Sequence, residues 1–139
     1  MYYELKLKVN KTNDKGEEKE VTEQYITDDE LFGHVELKGN ELYNGDCDVF
    51  AISRSKIREI INEKQEDEFF YKVTLVEIFV DENGKEKENK YYVLIAAKDM
   101  DDANRKAAEY MKQGLQDMKQ GLQDMKLDAI AKTKILDLI

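Results

Sequence analysis

One stretch of the chain is written twice. FYKVTLVEIFVDENGKEKENKYYVLIAAK, Phe70 to Lys98, has a near copy at the start, YYELKLKVNKTNDKGEEKEVTEQYIT, Tyr2 to Thr27. Tyr3 to Lys19 runs over Tyr71 to Lys87 at a constant shift of 68, so that Gly16 meets Gly84, Lys19 meets Lys87 and Glu20 meets Glu88. The closing segments match at a shift of 78, AISRSKIREII (Ala51 to Ile61) lying over AIAKTKILDLI (Ala129 to Ile139). Two matches in the same order predict one unit used twice. Units this short rarely bury a face alone, so the two are expected to pack together. Seven of the ten residues between the shifts match a second copy of MKQGLQD, which stands at 111–117 and again at 118–124. Seven residues are nearly two helical turns, so such an insertion lengthens a helix and keeps its apolar face.

Within each copy the pattern reads as β-β-α-β. Tyr3, Leu5, Leu7 and Val9 alternate with Glu4, Lys6 and Lys8, the period of a half-buried strand. Asn13-Asp14-Lys15-Gly16 is a turn, and a second strand follows over about 19–27. Asp28-Asp29 supplies capping carboxylates for a helix over about 29–42, expected to be short or broken because Gly33 and Gly39 each cost roughly 1 kcal/mol against alanine. Within 48–61 a long strand is read through Val49, Ala51 and Ser53 with its end left open, and the charged run Asn62 to Glu68 reads as a linker. In the second copy Tyr71, Val73, Leu75, Glu77 and Phe79 alternate. Tyr91 to Ala97 is nearly continuously apolar, which predicts a central strand covered on both faces. Asp99 is an N-cap with Asp102 three residues on. The helix is expected over 100–126, with the stripe Met100, Ala103, Ala107, Met111, Leu115, Met118, Leu122 and Met125. Residues 127–139 close the chain as a strand. The expected fold class is α+β: two tandem β-β-α-β repeats packed together, 1–62 and 70–139, joined by a linker at 63–69, with largely antiparallel sheet and the helices on one face.

Charge narrows the function. Of 139 residues 38% are charged and the net charge is −9. Affinity for nucleic acid comes largely from Lys and Arg neutralising phosphates, so no direct nucleic-acid partner is expected. A basic partner protein, or mimicry of nucleic acid by an acidic surface, remains open. Cys47 is the only cysteine, so no intramolecular disulfide or thiolate metal cluster is expected. The N-terminus alternates and has no apolar signal core, and no run reaches the length of a membrane span. The expected compartment is a reducing one, the cytoplasm.

The motifs of catalysis are not in the chain. His34 is the single histidine and, with Cys47 thirteen residues on, has no nucleophile motif around it. Neither G-x-x-x-x-G-K-[ST] nor G-x-G-x-x-G occurs. The carboxylates at 28–30, 46–48 and 99–102 lack calcium-loop spacing, and two of the three groups stand where helices begin. No cofactor, metal or catalytic residue is expected. The inward register of the Tyr and Phe residues points to core. The duplicated heptad offers a partner surface: on a helix, Asp117, Lys119, Gln120 and Gln123 fall off the apolar stripe.

A Tyr2-Tyr3 strand, a D-x-G-x-E-K turn (Asp14 to Lys19) and an A-I-x-x-x-K-I closing strand (Ala51 to Ile57, Ala129 to Ile135) together resemble a family of uncharacterised two-repeat proteins of Bacteroidetes and their phages, described only as a domain of unknown function. The chain departs from that pattern in its weak first helix and duplicated heptad. The resemblance implies a phage or mobile-element setting and a non-enzymatic protein-binding module. The implied partner is a host protein or ribonucleoprotein with a basic surface, and inhibition of a host defence nucleoprotein, of the anti-CRISPR type, belongs to that class. The alternatives are a phage structural or assembly accessory, or a small-ligand binder using a pocket between the repeats.

Overall fold

A computed structural model describes residues 1–117 and 121–139. Among the described residues the fold is mixed α and β and rich in strand, with eight strands in two four-stranded sheets and two helices. Contacts divide it into two compact units, Met1–Ser55 with Lys134–Ile139, and Lys56–Thr133.

The first unit is built on the hairpin of β1 (Tyr2–Thr12) and β2 (Glu18–Asp28), paired antiparallel with Tyr3 opposite Thr27 and Leu7 opposite Glu23. β3 (Asp48–Arg54) runs antiparallel to β1, and the four-residue β8 (Ile135–Leu138) runs parallel to β2. The expected alternation holds: Tyr3, Leu5, Leu7 and Val9 are buried. At the turn, Gly16 takes φ 76° and the Asn13 side chain accepts the backbone N–H groups of Lys15 and Glu17, each at 3.0 Å. α1 (Phe32–Glu41) is short, as expected, and buries Val35 and Gly39. Gly39 has a packing reason. A Cβ there would stand 2.9 Å from Val49 Cγ2 and 3.1 Å from Leu5 Cδ2, so the helix lies against the sheet at a distance only glycine allows. The expected capping carboxylate acts one step early. Asp29 Oδ1 accepts the N–H groups of Glu30 and Leu31, ahead of the helix rather than in its first turn.

The second unit carries β5 (Phe69–Val80) and β6 (Glu86–Ala97) as its central antiparallel hairpin. β7 (Leu122–Lys132) runs antiparallel to β5, and β4 (Ile57–Ile60) parallel to β6. β6 is internal, and Val93 to Ala97 are fully buried at odd and even positions alike, so both faces are covered. α2 (Met100–Gln116) starts on the expected cap. Asp99 accepts Asp102 N–H at 2.8 Å, and Asp102 in return accepts Lys98 N–H at 3.0 Å. Its buried residues are Ala103 and Ala107.

Three expectations are corrected. Residues 48–61 are two strands, β3 and β4, which belong to different sheets; 127–139 likewise divides between β7 and β8. By contacts the run 63–69, expected as a linker, lies within the unit Lys56–Thr133. Asn62 pairs twice with Ala96, its amide donating to Ala96 O and accepting Ala96 N–H, both at 2.9 Å, and Glu68 is buried against Lys106. The helix expected over 100–126 ends at Gln116. Gly121 takes φ 82° and its carbonyl accepts Val80 N–H at 3.0 Å, after which Leu122 pairs with Phe79 and Met125 with Glu77. Leu122 and Met125 thus serve the sheet, because hydrogen bonding to β5 outweighs a helical apolar period that local sequence merely permits. Met118 of the expected stripe lies outside the described residues.

Candidate functional site: a charged groove beside the second helix

Polar side chains on the helix-facing side of the second sheet build the most developed site. Glu77, on β5, keeps the inward register of Val73 and Leu75 and is 1% exposed. Such a carboxylate is tolerated only when paired. Arg58 Nη1, from β4, donates to Glu77 Oε1 at 3.1 Å, and Asn89 Nδ2, directly across the hairpin, donates to the same oxygen at 3.2 Å. The Arg58 guanidinium also lies 4.4 Å from the Tyr91 ring centroid. Burial works against its charge, but Glu77 outweighs burial and raises the Arg58 pKa. Arg58 is thereby held against Glu77 and the Tyr91 ring although its side chain stays 45% exposed.

A groove of about 360 Å³ opens above this pair, walled by Arg58 and Glu59 on one side, by Tyr110, Gln113, Gly114 and Asp117 of α2 on the other, and floored by Glu77, Leu122 and Met125. A second hollow of about 400 Å³ shares Tyr110 and Gln113 and continues along Ile61, Asn62, Lys106 and Glu109. The Tyr110 hydroxyl donates to Glu59 Oε2 at 3.1 Å, tying helix to strand. Burial first, then Tyr91 and Glu59, push the Tyr110 hydroxyl pKa up, so it stays a donor at neutral pH. Gly114 lets α2 sit over Met125, whose sulfur would be 3.0 Å from an added Cβ. Farther along, Lys106 bridges Glu68 at 2.8 Å and Asp102 at 3.2 Å. The Lys106 bond lowers the Glu68 pKa first, and the Gln65 N–H helps.

The first unit buries a carboxylate differently. Glu23 on β2 receives Lys11 Nζ at 2.8 Å and the hydroxyls of Tyr25 and Tyr43. Burial alone would raise its pKa, but the Lys11, Tyr43 and Tyr25 hydrogen bonds together lower it. His34 is exposed, 3.5 Å from Asp29, while Cys47 Sγ points its weak hydrogen bond at Gly39 O, 3.6 Å away. Burial, then Asp46 and Asp48, raise the thiol pKa, the opposite of what a nucleophile needs. Among the described residues no group of three or more His, Cys, Asp or Glu is arranged to hold a metal ion.

Of the surface residues proposed from sequence, Asp117 is the C-cap of α2 and lines the groove. Gln123 is exposed on β7, a strand rather than a helix, so the helical reason for choosing it is withdrawn. Lys119 and Gln120 lie outside the described residues. Sequence reading passed over Arg58, Glu59 and Tyr110. One signal was there: Glu77 is a charged residue in the inward register of an apolar strand, and a buried carboxylate requires partners brought from elsewhere.

Sheet order and site define a strand-rich α/β protein with two four-stranded sheets, one helix to each unit, and polar clusters locked into its sheets. The chain belongs to the family described as Domain of unknown function (DUF4494), whose model matches residues 1–139. No curated protein and no solved structure matches it. Among the described residues no helix is long and apolar enough to cross a membrane.

Proposed function

We propose that the protein is a non-enzymatic binding module that docks on a basic surface of a host protein or ribonucleoprotein. The observation that carries this reading is where the cations go. With a net charge of −9, the chain still commits Lys11, Lys38, Arg58, Lys90, Lys98, Arg105 and Lys106 to internal ion pairs. The uncompensated charge left to a partner is negative. Such a surface steers a basic partner in and gives an association that falls with salt. In a phage or mobile-element setting the corresponding activity is inhibition of a defence nucleoprotein, of the anti-CRISPR type. An assembly accessory instead docks on virion proteins.

We also read the chain as one β-β-α-β unit used twice, each followed by a short parallel strand. Support comes from contacts that recur at the sequence shifts. Lys38 Nζ donates to Asp28 O at 3.2 Å and Lys106 Nζ to Ala96 O at 2.9 Å. Ile139 N–H donates to Ile26 O and Ile61 N–H to Leu94 O, both at 2.9 Å. Asp81 holds its turn through Asn83 and Lys85 as Asn13 holds Lys15 and Glu17.

The test is capture from nuclease-treated host lysate by tagged protein, repeated between about 0.05 and 0.5 M salt. A specific basic protein that elutes with salt is the expected result. Capture that is lost on nuclease treatment, or is indifferent to salt, would refute docking through an acidic surface.

A further inference from the structure

We infer that β8 is an exchangeable strand, and that the edge of β2 which holds it accepts the same segment from a second copy of this chain, giving a reciprocal strand-exchanged homodimer. This goes beyond docking on a host protein and does not depend on it. The two short strands are held alike, position by position. In the first unit Ile135 lies opposite Gln24, Asp137 opposite Tyr25 and Leu138 opposite Ile26. In the second Ile57 lies opposite Tyr92, Glu59 opposite Val93 and Ile60 opposite Leu94. Both pairings are parallel, and both skip a residue at the same place, Leu136 in one and Arg58 in the other. Ile135 and Ile57 are buried anchors, and the N–H groups of Ile139 and Ile61 close the strands on Ile26 O and Leu94 O. One kind of edge thus reads one kind of segment, Lys-Ile, a variable residue, an acid and two aliphatics: Lys134 to Ile139 here, Lys56 to Ile61 there.

In each case the segment arrives from a strand of the other sheet: β8 follows β7, and β4 follows β3. The backbone groups on the β2 edge make the same bonds whichever chain supplies the strand, and the Thr27 hydroxyl, which donates to Ile139 O at 2.8 Å, does so as well. β8 is the more easily released of the two. β4 is locked by Arg58 on Glu77, by Glu59 on Tyr110 and, just beyond its end, by Asn62 on Ala96. In β8, Leu136 stands at the place of Arg58, and it and Leu138 are well exposed. The link between β7 and β8 is only Thr133-Lys134. So short a hinge has little slack for closing in its own chain and is suited to open into an extended crossing between chains. A strand tethered this closely competes at an effective concentration in the millimolar range, which is where exchange belongs.

The experiment follows the full chain by sedimentation velocity from about 10 μM to about 1 mM, a range that spans such effective concentrations. Monomer at the low end and a growing dimer fraction toward the high end are expected. Added salt should favour the dimer, because two chains of net charge −9 must meet, whereas it weakens docking on a basic partner. Deleting Lys134 halves the hinge, disfavours closure within one chain and should bring in the dimer at a roughly tenfold lower concentration. An equal mixture of ¹⁵N-labelled and ¹³C-labelled chains then locates the contact: a nuclear Overhauser effect between labels should join Ile26 to Leu138, which lie opposite each other in the strand pair. Wild type that stays monomeric up to about 1 mM overturns the inference, whether or not the deletion variant folds. A dimer that lacks the Ile26–Leu138 effect between labels, or that forms equally well in Ile135→Asp, overturns it too, by placing the interface elsewhere.

Discussion

The two units use the same sheet, a central antiparallel hairpin with one antiparallel and one short parallel neighbour, yet they differ at the end of the helix. In the first, α1 is ten residues long, its Gly39 is pressed onto Val49, and the buried carboxylate is Glu23 on β2, closed over by Tyr25, Tyr43 and Lys11. In the second, α2 is seventeen residues long, the buried carboxylate is Glu77 on β5, and Arg58 reaches it from the short strand β4, across β6. The longer helix overhangs β4 and β7 and leaves the groove beneath its end. A common frame can thus carry a buried carboxylate met by two tyrosines and a lysine in one unit and one met by Arg58 and Asn89 beneath a groove in the other, according to helix length and which strand supplies the acid.

The strongest way to break this contrast is to delete Met118 to Asp124. A wholly helical heptad predicts little loss. In the structure the first copy ends α2 and the second supplies Gly121 and the start of β7, so one copy cannot serve both. Loss of roughly 3 kcal/mol is expected, of the order of removing a buried large side chain, together with the groove. Urea denaturation measures it, and near wild-type stability would restore the helical reading.

Next is Arg58→Ala, which takes a guanidinium from a carboxylate that is 1% exposed and should cost about 2–3 kcal/mol. Lys11→Ala in the other unit should cost less, about 1 kcal/mol, because Tyr25 and Tyr43 still donate to Glu23. Equal losses in thermal unfolding would mean that the two clusters are energetically alike.

The glycines sharpen the comparison of the helices. Gly39→Ala should destabilise by about 1–2 kcal/mol, since the stiff Val49 cannot step aside. Gly114→Ala should be close to neutral, because its neighbour is the flexible Met125 and the helix gains about 1 kcal/mol in propensity. Gly33→Ala, with nothing within 4 Å, should stabilise by about 0.5–1 kcal/mol. The reverse order in melting temperatures would contradict the packing described for both helices.

The smallest effect is in pH. Glu23 has its folded pKa below the ordinary 4.5, so its pairing stabilises the fold above that value and is lost as pH falls through the lower folded value. Acid unfolding of wild type should therefore be steeper below about pH 4.5 than that of Lys11→Ala. Parallel curves would remove Lys11 from the cause.

Much of the fold was legible because period and turn chemistry are local. The alternation at Tyr3 to Val9 and at Tyr71 to Leu75, the glycines at 16 and 84, the Asp99 cap and the doubly covered β6 all follow from residues near one another. The strand read within 48–61 had no legible end because the break between Arg54 and Ile57 carries no proline or glycine. Of the residues lining the groove, Asp117 was named from sequence for its place off the helical stripe, and Glu77 was visible as a charge in an apolar register. Arg58 and Tyr110 were not, since their role depends on which strand lies beside β6 and on where α2 overhangs.

By itself the sequence determined the two hairpins, the two helices, the acidic balance and the turns at Gly16 and Gly84, because these are set by side-chain period, backbone sterics and composition. Only the tertiary structure decided that one copy of MKQGLQD continues a helix while Gly121 to Asp124 of the other turn into a sheet edge, and that β4 and β8 leave the strands they follow. Helix and strand are close in energy for such a segment, and the choice falls to long-range hydrogen bonds with β5, β6 and β2. The groove is a product of the same choices: it exists only where a helix end, a short parallel strand and a buried glutamate are brought together by pairings far apart in the chain.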